Sequence, residues 1–176
     1  MMPPGHETQI NQVQLRLHYQ SLVRQGCDLP SFADVEFKCF SQNGEDGILL
    51  YLFSLIGAEY RTAVEICAGD GIECNAANLI VNHGWQGLLF DGDREQVARG
   101  AAFYAGCRTT WASPPTFVNA WITAENVDAL VSSHGSVGPI DLLSLDIDGN
   151  DYWVWNALDC IQPRVVVLEF NGSCGP

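Results

Sequence analysis

Positive charge is scarce in this sequence. Eight Lys and Arg stand against 21 Asp and Glu in 176 residues, a formal net charge of −13. Such a surface repels phosphate backbones and anionic headgroups, and no basic cluster offers a local exception. Nucleic acid and membrane partners are therefore not expected, which leaves a small-molecule substrate. Long apolar runs are also missing. "GILLYLF" and "VVVLEF" fall well short of the roughly 18 residues that span a bilayer. The start, "MMPPGHETQINQ", lacks the charged-then-apolar pattern of a signal peptide. Cysteines sit at positions 27, 39, 67, 74, 107, 160 and 174, with no C-x-x-C pair. Neither a disulfide framework nor a thiolate zinc site is expected, and the reading is of reduced thiols in a cytoplasmic protein. No internal repeat or low-complexity segment breaks the chain.

What is present points to one globular domain. Hydrophobic residues make up 47% and charged residues 16%, a balance that buries a core rather than staying disordered. Residues 1–39 read as an accessory amino-terminal segment with one amphipathic helix, whose apolar positions are Ile10, Val13, Leu17 and Leu22. Residues 40–176 form the main domain. A helix is signalled by "SQNGEDGILLYLFSLIG", with Glu45 and Asp46 in its first turn and Gly57 at its end. Apolar runs then alternate with helical patterns. "AVEIC", "GLLFD", "TFVNAWI", "IDLLSLD" and "RVVVLEF" are the strands, and Thr123 and Gly135 are the expected cap and stop of the third intervening helix. Five strands, each apolar enough to be buried on both faces, predict an α/β fold. The expected architecture is a Rossmann-like parallel sheet with helices on both faces.

In such sheets ligands bind beyond the carboxyl ends of the strands. The first turn, "VEICAGDGIECN", has Glu65 in the strand and Gly69 and Gly71 in the loop, and the helix after it should present unpaired N–H groups. A pyrophosphate would require G-x-G-x-x-G, but Cys67 takes the first glycine slot and Glu65 and Asp70 bring negative charge. The turn suits a ligand without phosphate. Asp91, followed by Gly92, ends the next strand 20 residues after Gly71, the position from which a carboxylate accepts from both ribose hydroxyls of an adenosine. A nucleoside cofactor without phosphates meets both conditions, and S-adenosylmethionine is the obvious one.

The blocks "FSQNGEDGIL", "VEICAGDGIECNAANLIVNHGWQGLLFDGD", "WITAENVDAL", "DLLSLDIDGNDYWVWNAL" and "PRVVVLEFNGSCGP" together resemble the FkbM-like group of S-adenosylmethionine-dependent methyltransferases. The resemblance runs from about Phe40 to Pro176. It implies that Glu65, Gly69 and Gly71 form the cofactor turn, that Asp91 and Gly92 hold the ribose, and that the opening block with Ser41, Gln42, Gly44 and Glu45 folds over the cofactor. Asp146, with Asp148 and Gly149, would stand near the methionine end and the substrate. Asp146 and Asp148 are the catalytic candidates, in an O-methylation of a sugar or small-metabolite hydroxyl. Methyltransferases of this class continue past the fifth strand, whereas this sequence stops at "NGSCGP". Either the chain is a fragment or the sheet has only five strands, which would leave a sheet edge open to self-association.

Other readings stay open beside this one. "DIDGND" is no calcium loop, because the glycine comes too early and Trp155 stands where the bidentate Glu belongs. Magnesium on Asp146, Asp148 or Glu169 is compatible with the pattern, since such sites need few protein ligands. Asp148 and Asp151 could instead simply start the helix that follows. His83 reads as a dipole partner at a helix end, and Trp153 and Trp155 cannot both face the sheet. A non-catalytic cofactor-binding module and a nicotinamide-dependent oxidoreductase are the alternative functions.

Overall fold

A computed structural model describes residues 6–147 and 149–169. Asp148 and the terminal "FNGSCGP", with Cys174, lie outside the described residues. Five strands form one sheet: β1 (Thr62–Ile66), β2 (Gln86–Asp91), β3 (Thr116–Asn119), β4 (Gly138–Leu145) and β5 (Ile161–Leu168). Their order is β3-β2-β1-β4-β5 and every pairing is parallel. The order reverses between β1 and β4, the switch point at which open α/β sheets bind their ligands. Along the described residues β5 pairs with β4 alone. Pro163 sits within it, a residue a sheet tolerates at an edge because it has no N–H to donate.

The described residues hold seven helices: α1 (His6–Gln25), α2 (Phe32–Val35), α3 (Glu45–Ile56), α4 (Ala77–His83), α5 (Arg94–Gly106), α6 (Val127–Ser133) and α7 (Asp151–Asn156), of which α1 and α2 pack on α3. Successive strand residues point to opposite faces, so Ala63, Leu89 and Leu142 pack with Leu49, Phe53, Ile80 and Tyr104 from α3, α4 and α5. Val64, Ile66, Phe90, Leu143 and Leu145 pack on the other face with Val127, Val131 and Val154 from α6 and α7. The central strands β1, β2 and β4 are therefore buried on both sides, as their apolar runs require, whereas β5 is half-exposed from Arg164 to Leu168.

Two expectations about local structure change. In α1 the residues turned inward are Gln12 and Tyr19, with Leu15 and Leu22 partly covered, while Ile10, Val13 and Leu17 are exposed. Partners decided the face: Gln12 exchanges two amide hydrogen bonds with Asn78 of α4, and the Tyr19 ring meets Tyr51 of α3 edge-on at 4.9 Å. In the third crossover the regular helix begins at Val127, not near Thr123. Asn126 turns back to accept the Thr123 N–H at 2.9 Å, adding a tight turn before α6.

The amino-terminal edge of the sheet is fastened by one buried carboxylate. Asp141 of β4 accepts the N–H groups of Glu59, Tyr60 and Arg61 at 3.2, 2.8 and 2.6 Å, and pairs with Arg164 of β5 at 2.8 Å. Arg164 also donates to the carbonyls of Ile56 and Gly57 at the end of α3. One ion pair thus joins two strands to the α3–β1 connection.

Candidate functional site

At the carboxyl ends of β1, β4 and β5 lies a cavity of about 420 Å³. Five carboxylates wall it: Glu45, Glu65, Glu73, Asp146 and Glu169. Gln42 and Asn43 close one side. A second hollow of about 460 Å³ opens between the β3–α6 and β4–α7 connections. It is largely apolar, with Trp121, Ile122, Ile147, Trp153 and Val154 in its wall. The two share one stretch of chain, because Leu145 and Asp146 line the first while Ile147 and Asn150 line the second.

The floor of the first cavity is built on Glu65. It lies in the β1 interior with 4% of its surface exposed, and its two oxygens accept the N–H groups of Asn75 and Ala76 at 2.9 and 2.8 Å. Ser144 of β4 adds its hydroxyl at 3.3 Å, and the Asn75 amide donates to Ser144 at 3.0 Å. Burial raises the Glu65 carboxyl above its usual range, and the N–H groups of Ala76 and Asn75 oppose that rise. Sequence reasoning missed Asn75 and Ser144. A serine inside an otherwise apolar strand was the available signal.

The N–H groups of Asn75 and Ala76, just before α4, are consequently not open to a ligand. Others nearby are also engaged: Gly69 N–H donates to Asp91, Gly71 N–H to the Ala68 carbonyl, and Ile72 N–H to Asp70. Five N–H groups of the turn, those of Gly69, Gly71, Ile72, Asn75 and Ala76, are thus satisfied from within the protein. Cys67 adopts φ +61°, the left-handed conformation that glycine takes without steric cost, so the cysteine keeps the backbone path of the slot it fills. Gly71 also has positive φ, but a side chain there would strike Phe117 and Leu89, and its carbonyl accepts from the buried Tyr104 hydroxyl. The structure gives Gly71 a packing role, away from either cavity wall.

Asp91 stands at the end of β2 between loop and helix. One oxygen accepts Gly69 N–H at 2.8 Å and the other Asp93 N–H at 2.7 Å, which leaves each with a further lone pair. Asp93 caps α5 by accepting from Glu95 and Gln96. The Trp121 ring lies directly over Gly92, connecting Asp91 to the apolar hollow.

In the opening block, Gln42, Asn43 and Glu45 reach the cavity, whereas Gly44 caps α3 and Ser41 is buried. Asp46 holds the block in place. One of its oxygens accepts the N–H groups of Cys39, Phe40 and Ser41 at 2.7, 2.6 and 2.9 Å, while Ser41 Oγ accepts the Asp46 N–H. Burial raises its carboxyl, partly offset by those donors. Asp146 is exposed at the cavity mouth. Asp151 accepts the N–H groups of Ile147 and Gly149 at 3.0 and 3.2 Å, so it shapes the turn before α7. Of the two tryptophans on α7, Trp153 lines the apolar hollow and Trp155 does not.

Among the described residues no group of three or more His, Cys, Asp or Glu is gathered as metal ligands. Asp146 and Glu169 line one cavity, and Asp148, the third magnesium candidate, lies outside the described residues. No described helix is long and apolar enough to cross a membrane.

No protein-family model matches the chain, and no match was found among curated proteins. Among solved structures, the chain is similar to an S-adenosylmethionine-dependent methyltransferase from Clostridium acetobutylicum ATCC 824. The TM-score is 0.44 at 11% identity, over 85% of this chain and 52% of that one. It is also similar to an O-methyltransferase from Bacillus cereus in complex with SAH, with a TM-score of 0.46 at 13% identity over 90% of this chain and 64% of the other. The chain thus spans about half the length of the first and under two thirds of the second.

Proposed function

We propose that the chain binds S-adenosylmethionine across the carboxyl ends of β2, β1 and β4 and methylates a small acceptor, with a hydroxyl of a sugar or small metabolite as the acceptor group. The observation that carries this reading is the fate of the N–H groups in the β1–α4 turn. Those that would cradle a pyrophosphate are held by Glu65 and Asp91, and the adjoining cavity is walled by carboxylates. A ligand here should carry positive charge and no phosphate, which argues against a nicotinamide dinucleotide.

The residues fit the parts of such a cofactor. Asp91 has free lone pairs for two ribose hydroxyls, and the hollow of Trp121, Ile122, Ile147 and Trp153 suits a planar base. Glu45, Glu73 and Asp146 offer their charge to an ammonium and a sulfonium. When bound, the cofactor supplies a methyl group made electrophilic by its sulfonium. The chain's own contribution is to hold donor and acceptor in line and keep water out. Asp146, exposed at the mouth, is the carboxylate positioned to take a proton from the acceptor hydroxyl.

Isothermal titration of the folded chain with S-adenosylmethionine and S-adenosylhomocysteine tests the binding half, with NAD as the contrast. Micromolar binding that Asp91→Ala weakens at least about tenfold is expected. Absence of binding, or preference for NAD, overturns the reading. Methyl transfer to a panel of hydroxyl acceptors then separates an enzyme from a binding module.

A further inference from the structure

Cations in this chain are few, and several are committed: Arg99 to Asp70, Arg164 to Asp141 and Glu59, and Lys38 to the Gln42 carbonyl. Arg16 and Arg61 behave differently. Both line a cavity of about 220 Å³ at the amino-terminal edge of the sheet, opposite the carboxylate-walled site. The cavity lies between α1, the ends of α3 and α4, and the residues leading into β1. Among the described residues neither guanidinium has a hydrogen bond or ion pair. Among the described residues Arg24 and Arg94 also lack an acid, but Arg16, half-buried, and Arg61, exposed, share one hollow that no carboxylate lines. His83 enters the same hollow from α4, and Trp85 and Phe53 supply an aromatic wall.

Compensation of the helix ends does not account for the pair. The α3 carbonyls of Ile56 and Gly57 already receive Arg164, and the Leu79 carbonyl of α4 already receives the N–H groups of Gly84 and Trp85. We propose that this cavity binds a small organic anion with an aromatic body, its charge held by Arg16 and Arg61 and its ring set against Trp85. Two guanidiniums present planar forks suited to a phosphate or carboxylate, and the volume admits a single-ring compound.

Filling the site has a consequence at His83. Its Nε2 is 2.6 Å from Gln12 Oε1, and the charged groups facing it are Arg16 from α1 and Arg61 from the β1 approach. Burial first, and then those two arginines, push its pKa down to about 4. An anion between the guanidiniums removes the repulsion, so His83 gains protons more readily.

Phenyl phosphate, inorganic phosphate and benzyl alcohol are the probes, titrated into the full chain with NMR detection of the His83 ring. Saturable binding of phenyl phosphate is expected, at least about tenfold tighter than inorganic phosphate and absent for benzyl alcohol. It should raise the His83 pKa, and Arg16→Gln and Arg61→Gln should each weaken binding about tenfold. An unmoved His83 ring in the wild-type chain, equal binding of benzyl alcohol or inorganic phosphate, or indifference to both substitutions overturns the proposal.

Discussion

Asp141→Ala removes the carboxylate that fastens the amino-terminal edge of the sheet. Four donors lose their acceptor: the N–H groups of Glu59, Tyr60 and Arg61, and the Arg164 guanidinium. Asp141 is fully buried, whereas Glu59, Tyr60 and Arg61 are exposed residues whose N–H groups water can partly satisfy. The main loss is therefore at the half-buried guanidinium, which keeps only the exposed Glu59 at 3.8 Å and the two helix-end carbonyls. Breaking a buried pair by deleting one partner costs about 3–5 kcal/mol, and the solvent access here favours the lower end. At roughly 2–4 °C per kcal/mol for a chain of this size, the midpoint of thermal unfolding should fall by about 10 °C. Asp141→Asn, which keeps the shape and one acceptor oxygen, should fall less. The pH dependence adds a second readout. Burial pushes the Asp141 carboxyl up, but Arg164 and the three N–H groups outweigh it and hold it below the usual carboxylate range. A lowered acid stabilises the fold above its unfolded-state pKa and loses that contribution as pH falls through the folded-state value. The gap between wild type and Asp141→Asn should therefore close in acid. A midpoint drop below about 2 °C for Asp141→Ala, or a gap that does not narrow below about pH 4, would refute the reasoning.

Three further outcomes are expected. Gly100→Ala drives a methyl into the Asp70 carbonyl oxygen and the Phe117 ring; despite the better helix propensity of alanine it should destabilise by about 1–3 kcal/mol in urea unfolding. At Cys67, whose φ of +61° penalises branched side chains, Cys67→Gly should exceed Cys67→Val in stability by about 1–2 kcal/mol, measured by the same titration. His83 has a folded-state pKa below its ordinary value of 6.5, at about 4, so its neutral form is favoured and stability falls as pH drops from 6.5 towards 4. That decline should total up to about 3 kcal/mol and be missing from His83→Gln, as equilibrium unfolding at pH 7 and pH 4 would show.

Much of the fold was legible because strand and helix periods are local properties. The helix signalled by "SQNGEDGILLYLFSLIG" stands at Glu45–Ile56, with Glu45 and Asp46 in its first turn and Gly57 at its end. The five apolar runs gave five strands, displaced by at most a few residues. The α1 face was not legible, since Ile10, Val13 and Leu17 form as good an apolar stripe as the chain offers, while the inward face is set by an amide pair and an aromatic contact with distant segments.

At the site, residue identity was readable and hydrogen-bond partnership was not. Glu65 inside the first strand and Asp91 and Asp146 at strand ends stood out as acids, and the sequence alone was enough to disfavour a pyrophosphate. Only the tertiary structure decided why: Glu65 reaches the N–H groups of Asn75 and Ala76 ten and eleven residues on, and closes the turn from within. The same holds for the pairing of Asp141 with Arg164 and for the cavity shared by Arg16 and Arg61, whose members are far apart in the chain. Periodicity and composition determine which elements form and what sign of ligand they repel. Which acid meets which donor, and which cation is left without one, depends on how the elements pack, and that no local pattern records.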